Sequence, residues 1–516
     1  TPRFCARVKA LVMSEQLPSD DELLGGNYEK SYINWYVYGY FLITRGMEKY
    51  GPDFWVTISE YAADRPWNPF TFTSSFLALT GENFDSFLHD TFLELKSKWK
   101  SPPADFATST NESYSNSYFP SKNKQDMISL KRGLNQRMAL YKNDEILREI
   151  RIYPSLSSVD YKRNILVYAQ DSVHYRYLFK GTHDLFLYNT TLDSIDRVTK
   201  NKKYYHPKLH AKKDLILAMR VDQQDRYHLD VLNFHGKIHE TLKLKNKTII
   251  QADWIDDRNI AVLVTLKNGK KQIGKYNFDS KAYEILTKPT RNNLYNIFIS
   301  EKDIYFEADY QGKIDIFRVS MNTVIEKCTN EYISATMASV SIHSENQKEL
   351  HYSWESAQGK RIRSIPLNCE EINSDSLLDI NQFISDTPSD NYHKSKPVEL
   401  KDFDKLYIKS EVSSPHQSTS HLFKPHSWSF IGGRGYQASI TTQNEIGTMS
   451  MQASTGISAI ENTPFAGLSF NYMKYTPIIN TYLDYSKRDV KISSNNSSKW
   501  SETRAGVNIL LPYLFD

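Results

Sequence analysis

The sequence predicts a mainly β chain with an N-terminal α-helical segment: a six-bladed β-propeller followed by an antiparallel, partly barrel-like sheet. Three observations carry that prediction. A polar turn followed by an alternating apolar strand recurs six times between residues 118 and 371, a second turn recurs between the copies, and residues 428–516 alternate apolar with polar side chains. The 34 Tyr and 25 Phe in 516 residues agree with a strand-rich chain.

Residues 1–105 read as helical. Trp35, Gly39, Leu42, Ile43, Met47 and Tyr50 recur at helical spacing, and a second short helix carries Phe54, Trp55, Ile58 and Tyr61. Pro66 and Pro69 break the pattern, which resumes from Asn83 to Trp99 with Phe84, Phe87, Leu88, Phe92 and Leu95 on one stripe. Residues 106–117 read as a polar linker.

The six repeated turns are Lys124-Gln125-Asp126, Lys162-Arg163-Asn164, Lys212-Lys213-Asp214, Asp257-Arg258-Asn259, Glu301-Lys302-Asp303 and Gln347-Lys348-Glu349. The strands after them start at 127, 165, 215, 260, 304 and 350, so successive differences are 38, 50, 45, 44 and 46 residues. A four-stranded propeller blade takes about 40 to 50 residues. The second turn falls at Asn143-Asp144, Asp193-Ser194, His235-Gly236, Asp279-Ser280 and Met321-Asn322. An evenly spaced β-sandwich is the other architecture with such strands; two phased hairpin signals per repeat favour blades. The pattern resembles the TolB-type propeller, whose blades read as an aspartate-rich turn, a strand, and a second strand ending in a Thr. The turns here keep the charge but not the Pro-Asp-Gly consensus.

Residues 372–427 are polar and broken, as at Asp386-Thr387-Pro388-Ser389-Asp390, and read as a linker or strap. In residues 428–516, Tyr436, Ala438 and Ile440 alternate with Gln437, Ser439 and Thr441; Ala466, Leu468, Phe470 and Tyr472 alternate with Gly467, Ser469 and Asn471. Transmembrane β-strands alternate in this way, and so do soluble antiparallel sheets. The run Phe423-Lys424-Pro425-His426-Ser427-Trp428, with Gly435 to Asn444 and Gly447, resembles the entry to bacterial outer-membrane barrels. Five or so strands are read here, fewer than the eight a membrane barrel needs.

Lys plus Arg is 64 and Asp plus Glu is 60, a net charge of +4, too little for a dedicated nucleic-acid binder. Cys5, Cys328 and Cys369 are so far apart that the sequence offers neither a disulfide framework nor a cysteine zinc cluster, and the redox compartment stays open. No apolar run is long enough for a spanning helix. The start Thr1-Pro2-Arg3 shows no signal peptide, and further residues are expected upstream. The sequons at Asn111, Asn189 and Asn246 carry little meaning if the source is bacterial.

No HExxH motif is present; His239-Glu240 begins one, but Lys243 stands where the second histidine belongs. No Gly-x-Ser-x-Gly, Walker loop or dinucleotide fingerprint occurs, and Gly432-Gly433-Arg434-Gly435 reads as a turn, so no nucleotide partner is expected. His206 and His210 have a metal-like spacing but fall in a propeller strand and turn, where structural histidines are the expectation. Trp254, Tyr305 and Trp354 are read as core packing rather than a binding face.

The segment from Asn34 through Tyr36-Val37-Tyr38-Gly39 to Gly51 resembles the helix after the zinc site in gluzincin metallopeptidases of the aminopeptidase N type. There a Tyr-x-x-Gly motif sets a tyrosine over the substrate carbonyl. Tyr36 matches that tyrosine and Gly39 its glycine, with Tyr38 as the fallback. The resemblance implies that the phenol donates to the oxyanion of a tetrahedral intermediate. Packed aromatics give the same spacing, so the residues alone leave both roles open. The text from Phe54 through Leu79-Thr80-Gly81 to Trp99 resembles the same family's helical tail.

The order of peptidase tail, TolB-like propeller and barrel start resembles a bacterial envelope family. It implies a location in the periplasm and outer membrane, a protein or peptide partner, and zinc held only by ligands upstream of Thr1. This chain itself supplies no metal ligand. A propeller scaffold without catalysis is the alternative.

Overall fold

The computed structural model describes residues 2–17, 35–65, 70–99, 101–103, 115–123, 126–133, 137–150, 159–173, 181–320, 322–344, 347–373, 421–432, 435–475, 477–493 and 496–511, with 19, 22, 106, 377, 417 and 419 singly. Pro66, Pro69, Asn111 and most of the strap, residues 386–390 included, lie outside them. The chain divides into two compact units, residues 1–172 with 181–396, and 173–180 with 397–516.

The first unit opens with helices α1 (Pro2–Met13), α2 (Trp35–Tyr50), α3 (Phe54–Ala63), α4 (Thr71–Thr80) and α5 (Phe84–Lys98). Helix α4 stops at Gly81, whose φ of 76° lets its N–H reach Leu77 O at 2.9 Å. Helix α5 carries Asp85 in its first turn and Lys96 and Lys98 in its last, which suits the helix dipole. Its buried stripe is Phe87, Leu88, Thr91, Phe92 and Leu95. Helix α1 buries Cys5, Val8, Leu11 and Val12 in one cluster with Tyr305, Tyr352 and Trp354, so the helices share a core with the strands. Arg7 also donates from Nη1 to Ser356 O at 2.8 Å.

Strands then follow in consecutive antiparallel sheets, the arrangement of a β-propeller. The first holds β1–β4 (Ser115–Asn123, Asp126–Gly133, Ala139–Lys142, Glu145–Glu149) and the second β5–β8 (Asp160–Lys162, Ile165–Val173, Gly181–Asn189, Ser194–Arg197). The third holds β9–β12 (Tyr204–Leu209, Leu215–Val221, Tyr227–Asn233, Ile238–Leu242) and the fourth β13–β16 (Lys247–Trp254, Asn259–Leu266, Lys271–Asn277, Tyr283–Ile285). The fifth is β17–β20 (Leu294–Ser300, Asp303–Tyr310, Lys313–Val319, Ile325–Lys327) and the sixth β21–β23 (Ala335–Ser344, Gln347–Ser356, Gly359–Pro366). Each repeated polar turn lies between the first and second strand of its sheet, and each second turn between the third and fourth. Lys124, Gln125 and Met321 of those turns are not among the described residues.

The ends of this array meet. Ser115 N donates to Gln358 O at 3.1 Å, Ser353 Oγ to Ser117 O at 2.8 Å, and Lys122 pairs with Glu349 at 2.8 Å. These bonds join the first sheet to the sixth, as a closed ring requires.

A polar clasp repeats inside the sheets. Asp184, Asp230 and Asp315, on the third strands, accept from Thr199, Thr241 and Thr329 at 2.9, 2.7 and 3.1 Å. Thr199 and Thr329 follow the fourth strands of their sheets, and Thr241 sits on one. Trp254, Tyr305 and Trp354 are buried in the apolar clusters.

Cys328 and Cys369 form a disulfide, which corrects the expectation from their spacing. The two cysteines are 41 residues apart because the chain completes the sixth sheet before returning to the fifth. There β24 (Glu370–Glu371) pairs with β20, and Ile372 N donates to Ile325 O at 3.0 Å. Linear spacing could not reveal this return.

Among the described residues the second unit forms one sheet of β25–β30 (Ser427–Gly432, Tyr436–Gln443, Met449–Ile457, Pro464–Tyr472, Ile478–Ser493, Asn496–Leu510) in sequential order, one strand more than the sequence suggested. Register puts Trp428, Ile440, Ala453, Leu468, Leu483 and Ala505 in one row across all six strands. The adjacent row, on the opposite face, is Ser429, Ser439, Ser454, Gly467, Asp484 and Arg504. Trp428, Ile440, Leu468 and Leu483 are exposed.

Candidate ligand cavity at the centre of the propeller

The first strands of all six sheets converge on a cavity of about 250 Å³. A shared backbone device shapes it. Phe119, His206, Asn296 and Met337, on four of these strands, have φ of 49°, 50°, 38° and 56° and sit at register shifts in the pairing with the second strand. Such bulges re-aim side chains and bend the strand. Positive φ is uncommon for residues other than glycine, and its recurrence at one position marks the centre of the ring as a built feature. Pro120 and Pro207 follow two of these residues.

A chain of polar side chains crosses three sheets along one part of the wall. Gln251 Nε2 lies 3.3 Å from His206 Nδ1 and 3.5 Å from Asn296 Oδ1. Asn296 Nδ2 donates to Glu307 Oε1 at 2.7 Å, and Met337 N donates to the same oxygen at 2.5 Å. Gln251 Oε1 accepts from Ile297 N at 3.1 Å. Burial pushes the Glu307 carboxyl above the usual carboxylate range, against the pull of Arg3. Burial, helped by the charges of Lys208 and Arg3, lowers His206 to about 4, so its ring is neutral at neutral pH.

The other charged groups lie on β5, β9 and β13. Lys162 Nζ is 3.2 Å from Asp160 and 3.6 Å from Asp253, and it donates to Leu209 O at 3.0 Å. Burial alone would lower the Lys162 pKa, but the two carboxylates outweigh it and hold the ammonium above its ordinary value. Asp253 accepts from Trp254 N and Ile299 N at 2.8 and 3.1 Å. Asp160 accepts from Leu209 N at 2.8 Å. Phe119, Phe298 and Val340 supply apolar wall. The cavity therefore combines apolar surface with a few fixed polar groups, the usual make-up of a ligand site.

The residues singled out in the sequence fall in different places. His206 faces the cavity, whereas His210 caps a turn: its Nδ1 accepts from Lys212 N and Lys213 N at 3.1 and 3.0 Å, and its Nε2 lies 3.2 Å from Asp257. The two histidines do not converge, and among the described residues no group of His, Cys, Asp and Glu is arranged to hold a metal. Tyr36 projects from α2 with 71% of its surface exposed, while Tyr38 is buried and stacks on Phe92 at 5.4 Å. Helix α2 belongs to the helical end of the chain, and neither tyrosine lines the cavity. Sequence reasoning passed over Lys162, Lys208, Gln251 and Asp253, since a lone polar residue in an inner strand has no signature. The residues before Pro120 and Pro207 were the available cue, because proline restricts its predecessor.

No protein-family model matches the chain, and no curated relative does. Among solved structures it is similar to TolB from Acinetobacter baumannii, at 12% identity over 59% of this chain and 72% of that one, with a TM-score of 0.31. A prolyl endopeptidase matches at 11% identity and TM-score 0.32 over 72% of this chain, which spans 54% of that enzyme. The β-propeller domain of the trilobed protease from Pyrococcus furiosus matches at 10% identity and TM-score 0.29, over 67% of this chain and 94% of that domain. At these TM-scores the propeller architecture rests on the strand order and register above, and the neighbours lend it no function.

Proposed function

We propose that the chain is the binding and anchoring portion of a bacterial envelope protein. The six sheets are six blades of a propeller that takes a protein or peptide segment at its centre, and the C-terminal sheet is part of an outer-membrane β-barrel. The observation that carries the binding role is the cavity: every first strand contributes to it, and its wall mixes apolar surface with fixed polar groups. The disulfide supports an oxidising compartment such as the periplasm. The one-sided apolar face of the sheet supports contact with lipid, since membrane strands alternate in this way.

A peptide-display selection against the full chain tests the binding role. A recurrent sequence should be enriched, and the enrichment should disappear when Phe298→Trp narrows the cavity. No enrichment, or enrichment indifferent to that change, would remove the proposal.

A second reading adds catalysis: the helical end completes a gluzincin-like zinc metallopeptidase whose metal ligands lie upstream. The exposure of Tyr36 supports it, because an oxyanion donor must be reachable by substrate. If it holds, the full-length gene product hydrolyses peptides in a chelator-sensitive way, and Tyr36→Phe lowers the rate about 100-fold or more. Unchanged hydrolysis in Tyr36→Phe removes the role assigned to that tyrosine, and no hydrolysis by the zinc-loaded parent leaves a non-enzymatic scaffold.

A further inference from the structure

The cavity contains two buried hydroxyls without partners among the described residues and a lysine in a long ion pair. Ser129, on β2, is 1% exposed, and Ser339 lies on β21; among the described residues neither buried Oγ has a hydrogen-bond partner. Lys208, on β9, has a side chain only 13% exposed, and Asp253 Oδ2 is 3.9 Å from its ammonium, outside hydrogen-bond range. All three residues line the cavity. They contrast with Lys162 in the same cavity, which is engaged by Asp160 and by Leu209 O.

Buried hydroxyls without partners are costly, and a native fold that keeps two of them around one cavity has a place for acceptor atoms. The lysine offers a full positive charge, which selects an anion. The hydroxyls, on the first and sixth sheets, stand on different walls from Lys208 on the third, so they address a second acceptor of the same ligand. An apolar cavity of about 150 Å³ admits benzene, and this one is larger, with Phe119 and Phe298 on its wall.

Resting on the binding role assigned to the propeller, we propose that the cavity takes a carboxylate-terminated acyl amino acid unit: the carboxylate on Lys208, a carbonyl oxygen on Ser129 and Ser339, and an apolar side chain against the phenylalanines. Either the C-terminal residue of a peptide or a free N-acyl amino acid presents that chemistry. Asp160 and Asp253 lie nearer Lys162, at 3.2 and 3.6 Å, than Asp253 lies to Lys208, at 3.9 Å, so Lys208 is the less engaged cation and the one that meets the ligand's carboxylate.

The test is calorimetry on the full chain with N-acetylphenylalanine and its amide, and with a hexapeptide ending in Phe as free acid and as amide. The acids should bind about 10- to 100-fold more tightly than the amides, the range of a charged hydrogen bond. Lys208→Met should erase that preference, and Ser129→Ala with Ser339→Ala should weaken both acids. Tight binding of the hexapeptide acid alone identifies a peptide C-terminus; equal binding of both acids identifies the acyl amino acid unit, and either supports the proposal. Equal affinity for acid and amide overturns it while leaving the propeller a peptide binder. Binding of none of the four overturns it as well, and the display selection then decides the broader role. The acid and amide comparison needs no variant, so a misfolded Lys208→Met protein does not spoil the test.

Discussion

Lys162 of the second sheet and Asp253 of the fourth meet across the cavity, Nζ to Oδ1, at 3.6 Å. The third sheet lies between them in sequence, so the pair forms only when the first strands converge on a common centre. Asp253 also accepts two backbone N–H bonds and has a side chain 2% exposed. Asp253→Ala would leave Lys162 with Asp160 and Leu209 O but take the acceptor from two backbone N–H groups, and is expected to cost about 2–5 kcal/mol. Urea unfolding of the variant measures this, and a change below 1 kcal/mol would show that the pair is dispensable.

The Cys328–Cys369 bond holds the returning segment against the fifth sheet. Cross-linking a loop of this size restricts the unfolded chain, so Cys328→Ala with Cys369→Ala should lower stability by about 2–5 kcal/mol. Dithiothreitol should lower the melting temperature of the parent and leave that of the double variant in place. A parent insensitive to reductant would count against the bond.

Acid should weaken the propeller through its neutral histidines. His351 is 0% exposed and sits between Ser341 Oγ at 2.8 Å and Ser364 Oγ at 2.7 Å. Burial lowers its pKa from 6.5 to about 4, with Lys122 adding to the shift and Glu349 opposing it. The unfolded chain then takes up a proton near pH 6.5 that the folded chain refuses until about pH 4. Stability from this residue is present above pH 6.5, is lost as pH falls toward 4, and amounts to about 3 kcal/mol by then. His206 adds a loss of the same sign. His351→Gln should flatten the pH dependence of urea unfolding between pH 6.5 and 4, and an unchanged slope would refute the assignment.

On the C-terminal sheet, Leu483 belongs to the apolar row and Asp484 to the polar one. If the apolar face meets lipid, Leu483→Lys costs about 2–4 kcal/mol of insertion when that row lies near the bilayer midplane, while Asp484→Lys costs little. Vesicle flotation of the two variants reads the difference. Equal flotation of both would mean that this face meets no lipid.

The sequence by itself determined the strand repeat. Its turns and alternation are local, and local backbone preferences act over a few residues, so Lys162-Arg163-Asn164 or Glu301-Lys302-Asp303 marks a hairpin wherever the chain goes next. The same holds for the stripe of α5 and for the two faces of the last sheet, which follow from periods of 3.6 and 2. Tertiary structure alone decided which distant residues became neighbours. Cys328 met Cys369 because the chain doubles back after the sixth sheet, and Ser129, Lys208 and Ser339 came to one cavity because ring closure brings strands more than 200 residues apart into contact. Neither outcome leaves a spacing in the sequence, because ring geometry, unlike a helix or hairpin, has no short-range period.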